Sequence, residues 1–225
     1  MHFSPCLKLI AIRPDRLSIV YNVTMLTLAI QAGGQSTRMG RDKGLVEFLG
    51  APLIARVMGR LASIADEILI TTNTPESYRF LEVPLFPDLK PGRGALGGLY
   101  TALASATHPL VAVVACDMPF ASLGLLTFAS EILLEGDDDV AIPESGEGMV
   151  EPFHAVYRRE SCLPAVAQAI DSDQWKLISW FPQVIVRTIT SAEIARFDPQ
   201  GLAFWNVNTP EELLQAEQRA RESGT

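Results

Sequence analysis

The sequence predicts one α/β domain on a mostly parallel, layered sheet, and three observations carry that expectation. Short apolar runs at 26–30 (Leu-Thr-Leu-Ala-Ile), 67–72 and 110–116 alternate with stretches of helical spacing, the order that gives a parallel sheet. The run 110–116 is the most apolar of all and belongs at the centre of the sheet. The 225 residues, 48% hydrophobic and 20% charged, suffice for one sizeable core, and no repeat or long linker divides them.

Each element follows from its own pattern. Residues 45–48 read as a short extended piece, and Leu49-Gly50-Ala51-Pro52 as a turn with Pro52 at the first helical position. Leu53, Ile54, Val57, Met58 and Leu61 then recur at helical spacing. The β-branched run 67–72 is a second core strand, ended by Asn73-Thr74-Pro75-Glu76, where Thr74 and Pro75 look like a cap and first turn. A brief strand at 83–86 leads into a proline- and glycine-rich loop, 87–94, and a helix over 96–106. Beyond 110–116, helical spacing predicts a helix at 123–134 and short strands at 140–142 and 153–157. A helix at 162–170 with Pro164 near its start, a late strand at 184–189 and a terminal helix over 210–221 complete the pattern. Thr209 is the expected cap of that last helix, with Glu211 and Glu212 in its first turn.

Residues 1–24 stand apart. Their apolar stretch 7–12 is far too short to span a membrane, Arg13-Pro14-Asp15-Arg16 interrupts it, and no small-x-small cleavage site follows. They read as an extension of no assigned role, with Met25 an alternative start and the domain at 25–225. A net charge of -8 argues against nucleic acid or an anionic membrane surface as the main partner. Cys6, Cys116 and Cys162 are odd in number, far apart and without a C-x-x-C pattern, so neither a disulfide framework nor structural zinc is expected, and the default compartment is the cytoplasm.

The stretch 31–43, Gln-Ala-Gly-Gly-Gln-Ser-Thr-Arg-Met-Gly-Arg-Asp-Lys, is a local exception to the acidic balance. Arg38, Arg41 and Lys43 oppose the single acid Asp42, directly after the first strand. Glycines at 33, 34 and 40 let backbone amides turn toward a ligand. A basic, glycine-hinged turn at that place suits a polyphosphate. It is not a Walker A loop, since no Gly-Lys-Ser/Thr follows at the required distance, nor the dinucleotide fingerprint, since Gly33 and Gly34 are adjacent. Ligands of open α/β sheets lie outside the carboxyl ends of the strands, where Asn73, Asp88 and Asp117 also fall.

The order Ala-Gly-Gly-x-Ser-x-Arg-Met-Gly-x-Asp-Lys-Gly resembles the signature loop of sugar-nucleotide-type nucleotidyltransferases, and most closely that of the molybdenum cofactor guanylyltransferases (the MobA family). The resemblance covers about residues 25–216, with its motifs in order. It implies a Rossmann-like three-layer fold and transfer of GMP from GTP to the molybdopterin-bound molybdenum cofactor, with release of pyrophosphate. It also implies a site. Ala32, Gly33 and Gly34 would supply backbone contacts to the nucleotide, beside Gln31, which stands where leucine is usual. Arg38 and Lys43 would meet the phosphates and stabilise developing charge. Cys116-Asp117-Met118-Pro119-Phe120 resembles the metal-binding aspartate motif, so Asp117 is the expected Mg²⁺ ligand. Asp88 precedes a glycine-rich loop that holds the nucleotide, with Ala95 where proline is usual, and Asn73 matches a nucleotide-binding position. Asn206, Asn208 and His154 are acceptor-side candidates, although each of the three also has a packing or capping explanation. Hand-over of the product to cofactor-biosynthesis proteins or molybdoenzymes is implied by the family alone.

Two rivals remain at this level. One is a cytidylyltransferase of the same superfamily acting on molybdopterin or a sugar or polyol phosphate, against which Ala-Gly-Gly and Arg-Met-Gly-x-Asp-Lys-Gly lean. The other is a non-catalytic nucleotide-binding protein, against which the joint presence of Lys43, Asp88 and Asp117 argues. A Rossmann oxidoreductase is a distant third, lacking both the glycine spacing and the ribose-binding acid. Cys116 has no accompanying base and reads as buried filling rather than as a nucleophile.

Overall fold

Strand β1 (Leu26–Gln31) is buried along its whole length, and the reason lies in its alternation. Leu26, Leu28 and Ile30 enter one hydrophobic cluster while Ala29 enters another, so both faces are covered. A computed structural model describes residues 25–33, 42–146 and 148–223. The extension 1–24 and most of the basic turn lie outside the described residues.

Around β1 stand β4 (Glu67–Thr71) and β6 (Leu110–Ala115), both parallel to it, with Gln31 level with Thr71 on one side and Ala115 on the other. The seven-stranded sheet has the order β5-β4-β1-β6-β8-β7-β9, where β5 is Leu85–Phe86, β7 is Val140–Pro143, β8 is His154–Arg158 and β9 is Val186–Ile189. The expected mostly parallel sheet is thus present, with β6 at its centre. Strand β8 alone among these runs antiparallel to both of its neighbours. The small hairpin of β2 (Glu47–Phe48) and β3 (Ala51–Pro52) turns through Leu49 and Gly50, both at positive φ, the twist favoured in two-residue hairpins.

Helices α1 (Leu53–Leu61) and α3 (Leu123–Glu135) cover one face of the sheet, and α2 (Gly94–Ser105) and α4 (Arg159–Asp171) the other, giving three layers. A short α5 (Ser191–Ile194) closes on a Thr190–Glu193 capping box. The terminal α6 (Pro210–Ser223) packs Ala216 and Ala220 on Phe48, Leu53, Phe120 and Val207, a third and smaller cluster.

Boundaries differ from expectation where local chemistry outweighs periodicity. Pro52 precedes α1 as its cap instead of opening it, because it also closes the hairpin. Helix α4 starts three residues early, so Pro164 lies inside it. The ring is on the exposed face, and Glu160, whose carbonyl loses its amide partner, is exposed as well, so water satisfies what the helix cannot. Thr74 makes no side-chain cap, and Pro75 opens a 3₁₀ segment, Pro75–Leu81, in place of an α-helix. Thr209 does cap α6: its Oγ1 accepts from Glu212 N–H at 3.1 Å, and Glu212 Oε2 accepts from Thr209 N–H at 3.1 Å.

Candidate active site

The chemistry gathers at the carboxyl ends of β1, β4 and β6. After the basic turn, Asp42 caps a 3₁₀ segment, Lys43–Leu45, with Oδ1 accepting from Gly44 N–H at 3.2 Å. The buried Tyr78 hydroxyl donates to the same oxygen, and Thr74 Oγ1 donates to Oδ2 at 3.4 Å. Burial, and then the Asp42 carboxylate, push the Tyr78 phenol far above its ordinary range, so it remains a donor. Residue 44 must be glycine here: a Cβ would stand 2.8 Å from Tyr78 Oη and 3.3 Å from Cys116 Sγ. The Asp-Lys-Gly triplet is therefore a mount, pinned on both sides of Lys43.

From that mount Lys43 Nζ donates to Asp117 Oδ2 at 3.0 Å and to Asn208 Oδ1 at 2.5 Å. The ion pair is largely dry, with side chains 23% and 12% exposed. Asp117 follows β6, and its carbonyl accepts from Val207 N–H at 2.9 Å, which ties the strand end to the segment before α6. Asn208 is fixed in turn, its N–H donating to Glu212 Oε2 at 2.6 Å and its Nδ2 to the Asn206 carbonyl at 3.2 Å. Three segments far apart in sequence thus converge on one ammonium group.

Not every expected residue joins them. Asn73 and Asp88 pair with each other, Asn73 Nδ2 donating to Asp88 Oδ2 at 2.9 Å and Asp88 N–H to Asn73 Oδ1 at 3.1 Å, and so link the ends of β4 and β5. Ala32 is buried, its N–H on Thr71 O at 2.9 Å, while Gly33 is exposed and a Cβ there would meet nothing within 4 Å. Gly34 and Arg38 lie outside the described residues. Asn206 turns its side chain to the Phe204 carbonyl at 3.1 Å and contributes to the cluster through its backbone. His154 is wholly buried: Nε2 accepts from Ser122 N–H at 2.8 Å, the ring packs edge-on against Phe204, and burial lowers its pKa to about 4. It therefore presents no surface to an acceptor and serves as a neutral core residue, its place in the core decided by packing and not by the polarity of the ring. Cys116 is buried with its thiol pushed well up by desolvation, as filling requires.

Among the described residues no group of three or more His, Cys, Asp or Glu is placed to hold a metal. Asp117 stands nearly alone as a carboxylate at the strand end. That donor set fits Mg²⁺, which binds through one or two carboxylates plus substrate phosphates and waters. It does not fit a resident ion held by protein alone. Asp42 and Tyr78 were invisible as a support; Asp42 belongs to the motif, whereas Tyr78 carries no sequence signal.

The family model for the MobA-like NTP transferase domain matches residues 28–185. A probable molybdenum cofactor guanylyltransferase of Peptoclostridium acidaminophilum is 38% identical over 198 residues, 86% of this chain and 89% of that protein. A molybdenum cofactor guanylyltransferase of Desulfosudis oleivorans is 36% identical over 194 residues, covering 85% and 94%. Among solved structures, molybdopterin-guanine dinucleotide biosynthesis protein A of Archaeoglobus fulgidus superposes with a TM-score of 0.75 at 24% identity, over 87% of this chain and 99% of that one. The 2-C-methyl-D-erythritol 4-phosphate cytidylyltransferase of Thermus thermophilus follows at 0.61 and 19%, over 86% and 98%, a likeness of fold. With a mounted lysine, a strand-end aspartate and this shared sequence, the chain belongs to the MobA-like NTP transferase family.

Proposed function

We propose that this protein is a molybdenum cofactor guanylyltransferase that transfers GMP from GTP to molybdopterin-bound molybdenum cofactor, releasing pyrophosphate. The observation that carries the reading is Lys43, held between Asp117 and Asn208 at the ends of the central strands. The names of the relatives above favour the guanylyl over the cytidylyl branch.

The acceptor is a terminal phosphate whose second pKa is about 6, so it is largely dianionic at neutral pH and attacks without a general base. Its oxygen forms a bond to the α-phosphorus of GTP as the bond to the β-phosphate oxygen breaks, and pyrophosphate leaves with the electron pair. Catalysis is positioning plus charge neutralisation. Lys43, with Arg38 from the basic turn, meets the charge on the α-phosphate and the departing pyrophosphate. Asp117 would hold Mg²⁺ delivered with the triphosphate, and such an ion supplies further neutralisation of phosphate charge. Gln31 to Gly34, Asn73 and Asp88 hold the nucleotide, while Asn208 and Asn206 shape the acceptor side. Residues 25–225 form the transferase domain and 1–24 an extension.

No helix among the described residues is long and apolar enough to cross a membrane. We place the protein in the cytoplasm, where product passes by transient contact to cofactor-biosynthesis proteins or molybdoenzymes. The test is pyrophosphate release with GTP, Mg²⁺ and acceptor, beside calorimetry with GTP, CTP, ATP and UTP. Selective GTP binding, lost in Asp117→Ala and Lys43→Ala, is the expected result. Preference for CTP would move the function to the cytidylyl branch, and binding of none would overturn the catalytic reading.

A further inference from the structure

The end of β1 carries different chemistry on its two faces. Gly44, next to Lys43, lies against Tyr78 and Cys116, members of the cluster beneath α1 and α3. Gln31 follows Thr27 and Ala29 by strand alternation to the opposite face, the side of α2 and α4. There its side chain lies against the early turns of α2. A Cβ on Gly98 would stand 2.5 Å from Gln31 Nε2 and 3.0 Å from its Cδ, so the absent Cβ leaves the space the carboxamide fills.

That carboxamide is expensive where it is. Gln31 is only 8% exposed, and its Nε2 has no hydrogen-bond partner among the described residues. A buried donor without a partner is destabilising, whereas a leucine of similar size would fill the space without one. The donor sits at the ligand end of the sheet, at the end of β1 and against the early turns of α2. It therefore waits for an acceptor that arrives from outside the protein.

A nucleoside triphosphate carries its charge at one end and an uncharged, hydrogen-bonding ring at the other. Laid across the end of β1, its phosphates meet Lys43 on one face, and the uncharged end meets Gln31 on the other. We infer that Gln31 is a specificity-determining residue whose Nε2 donates to the carbonyl oxygen O6 of a bound guanine. Adenine offers an amino group at the same ring position, so donor would face donor and ATP would be rejected. The inference rests on the guanylyltransferase reading and deepens it.

The experiment compares the full chain with Gln31→Leu, and with Gly98→Ala, whose new methyl displaces the carboxamide without deleting it. Calorimetry with Mg²⁺ uses GTP, CTP, ATP and 2-aminopurine riboside triphosphate, which lacks O6 and the N1 proton of guanine. The wild-type protein should prefer GTP to the analogue by about tenfold, the scale of one buried hydrogen bond, and both variants should lose that preference. Gln31→Leu should melt no lower than the wild type, since it removes an orphaned donor. Retention of the tenfold preference in Gln31→Leu would overturn the inference, as would equal weakening of all three purine nucleotides together with a lower melting temperature. If the wild-type protein binds GTP no better than CTP, the functional reading itself falls and takes this inference with it. A wild type that favours GTP over CTP but ignores O6 overturns the inference alone.

Discussion

Two kinds of ion pair hold this molecule across similar stretches of chain, and they differ mainly in their access to water. Lys43 and Asp117 meet at 3.0 Å with side chains 23% and 12% exposed. Arg93 and Asp173 meet at 2.5 Å, and Lys90 and Asp171 at 3.3 Å, but these aspartates are 75% and 68% exposed. The outer pairs, with Arg93 also 4.9 Å over the Trp175 ring, latch the loop before α2 to the far end of α4. Water screens the latch and leaves it weak. The inner pair keeps its charge in a low-dielectric recess, where the same ammonium acts strongly on a phosphate. Exposure, more than distance, separates a site from a fastening.

Breaking the inner pair should have the largest effect. Lys43→Ala is expected to lower turnover about 10²–10³-fold, the scale seen when one preorganised charge donor is removed. Its cost in stability should be about 1–3 kcal/mol, the scale of leaving the Asp117 carboxylate and the Asn208 amide oxygen without their partner. Turnover within a factor of two of the wild type would dissolve the contrast. Asp117→Asn keeps the shape and removes the charge; a fall of about 10²-fold in turnover is expected, with GTP binding no longer strengthened by Mg²⁺.

A stability effect comes next, from His154, which accepts from the Ser122 amide in the core. Its unfolded pKa is 6.5 and its folded value about 4, so below 6.5 the unfolded chain takes up a proton that the folded one refuses. Stability from this residue is therefore complete above pH 6.5 and drains as pH falls toward 4, by roughly 3 kcal/mol in all. Urea melts of His154→Gln should show a shallower loss over that window. Glu151, raised by burial, slopes the other way but is common to both proteins and cancels. Smallest of all is the latch: Asp173→Ala should cost less than about 1 kcal/mol, and less again at high salt. A larger, salt-insensitive loss would erase the distinction between the two classes of pair.

Much of this was legible beforehand, for identifiable reasons. Strands β1 and β6 announce themselves because both faces are buried and the apolar run is continuous. Lys43, Asp117 and Asn208 are legible because their flanking residues form ordered motifs, even though 74 and 165 positions separate the two from Lys43. The direction of β8 was not, since alternation reports which face is buried and says nothing of polarity along the sheet. Asp42 with Tyr78, and Gln31 with Gly98, are contacts between distant segments, and neither partner's identity hints at the other. His154 misleads for a related reason: an imidazole beside Phe153 looks the same in sequence whether it faces ligand or core.

The Asn208 contact has a consequence for the order of assembly. During synthesis the basic turn and β6 emerge long before residue 208, so Lys43 can find Asp117 while its second partner is still unmade. The capping box that fixes Asn208 forms with the first turn of α6, and Glu217 further along that helix accepts from Leu49 N–H at 2.8 Å in the hairpin beside the lysine mount. The contacts of the central strands are parallel and non-local, which makes them slow to form. A nascent chain therefore holds the central sheet before it holds a finished site, and docking of the last helix is the step that completes it.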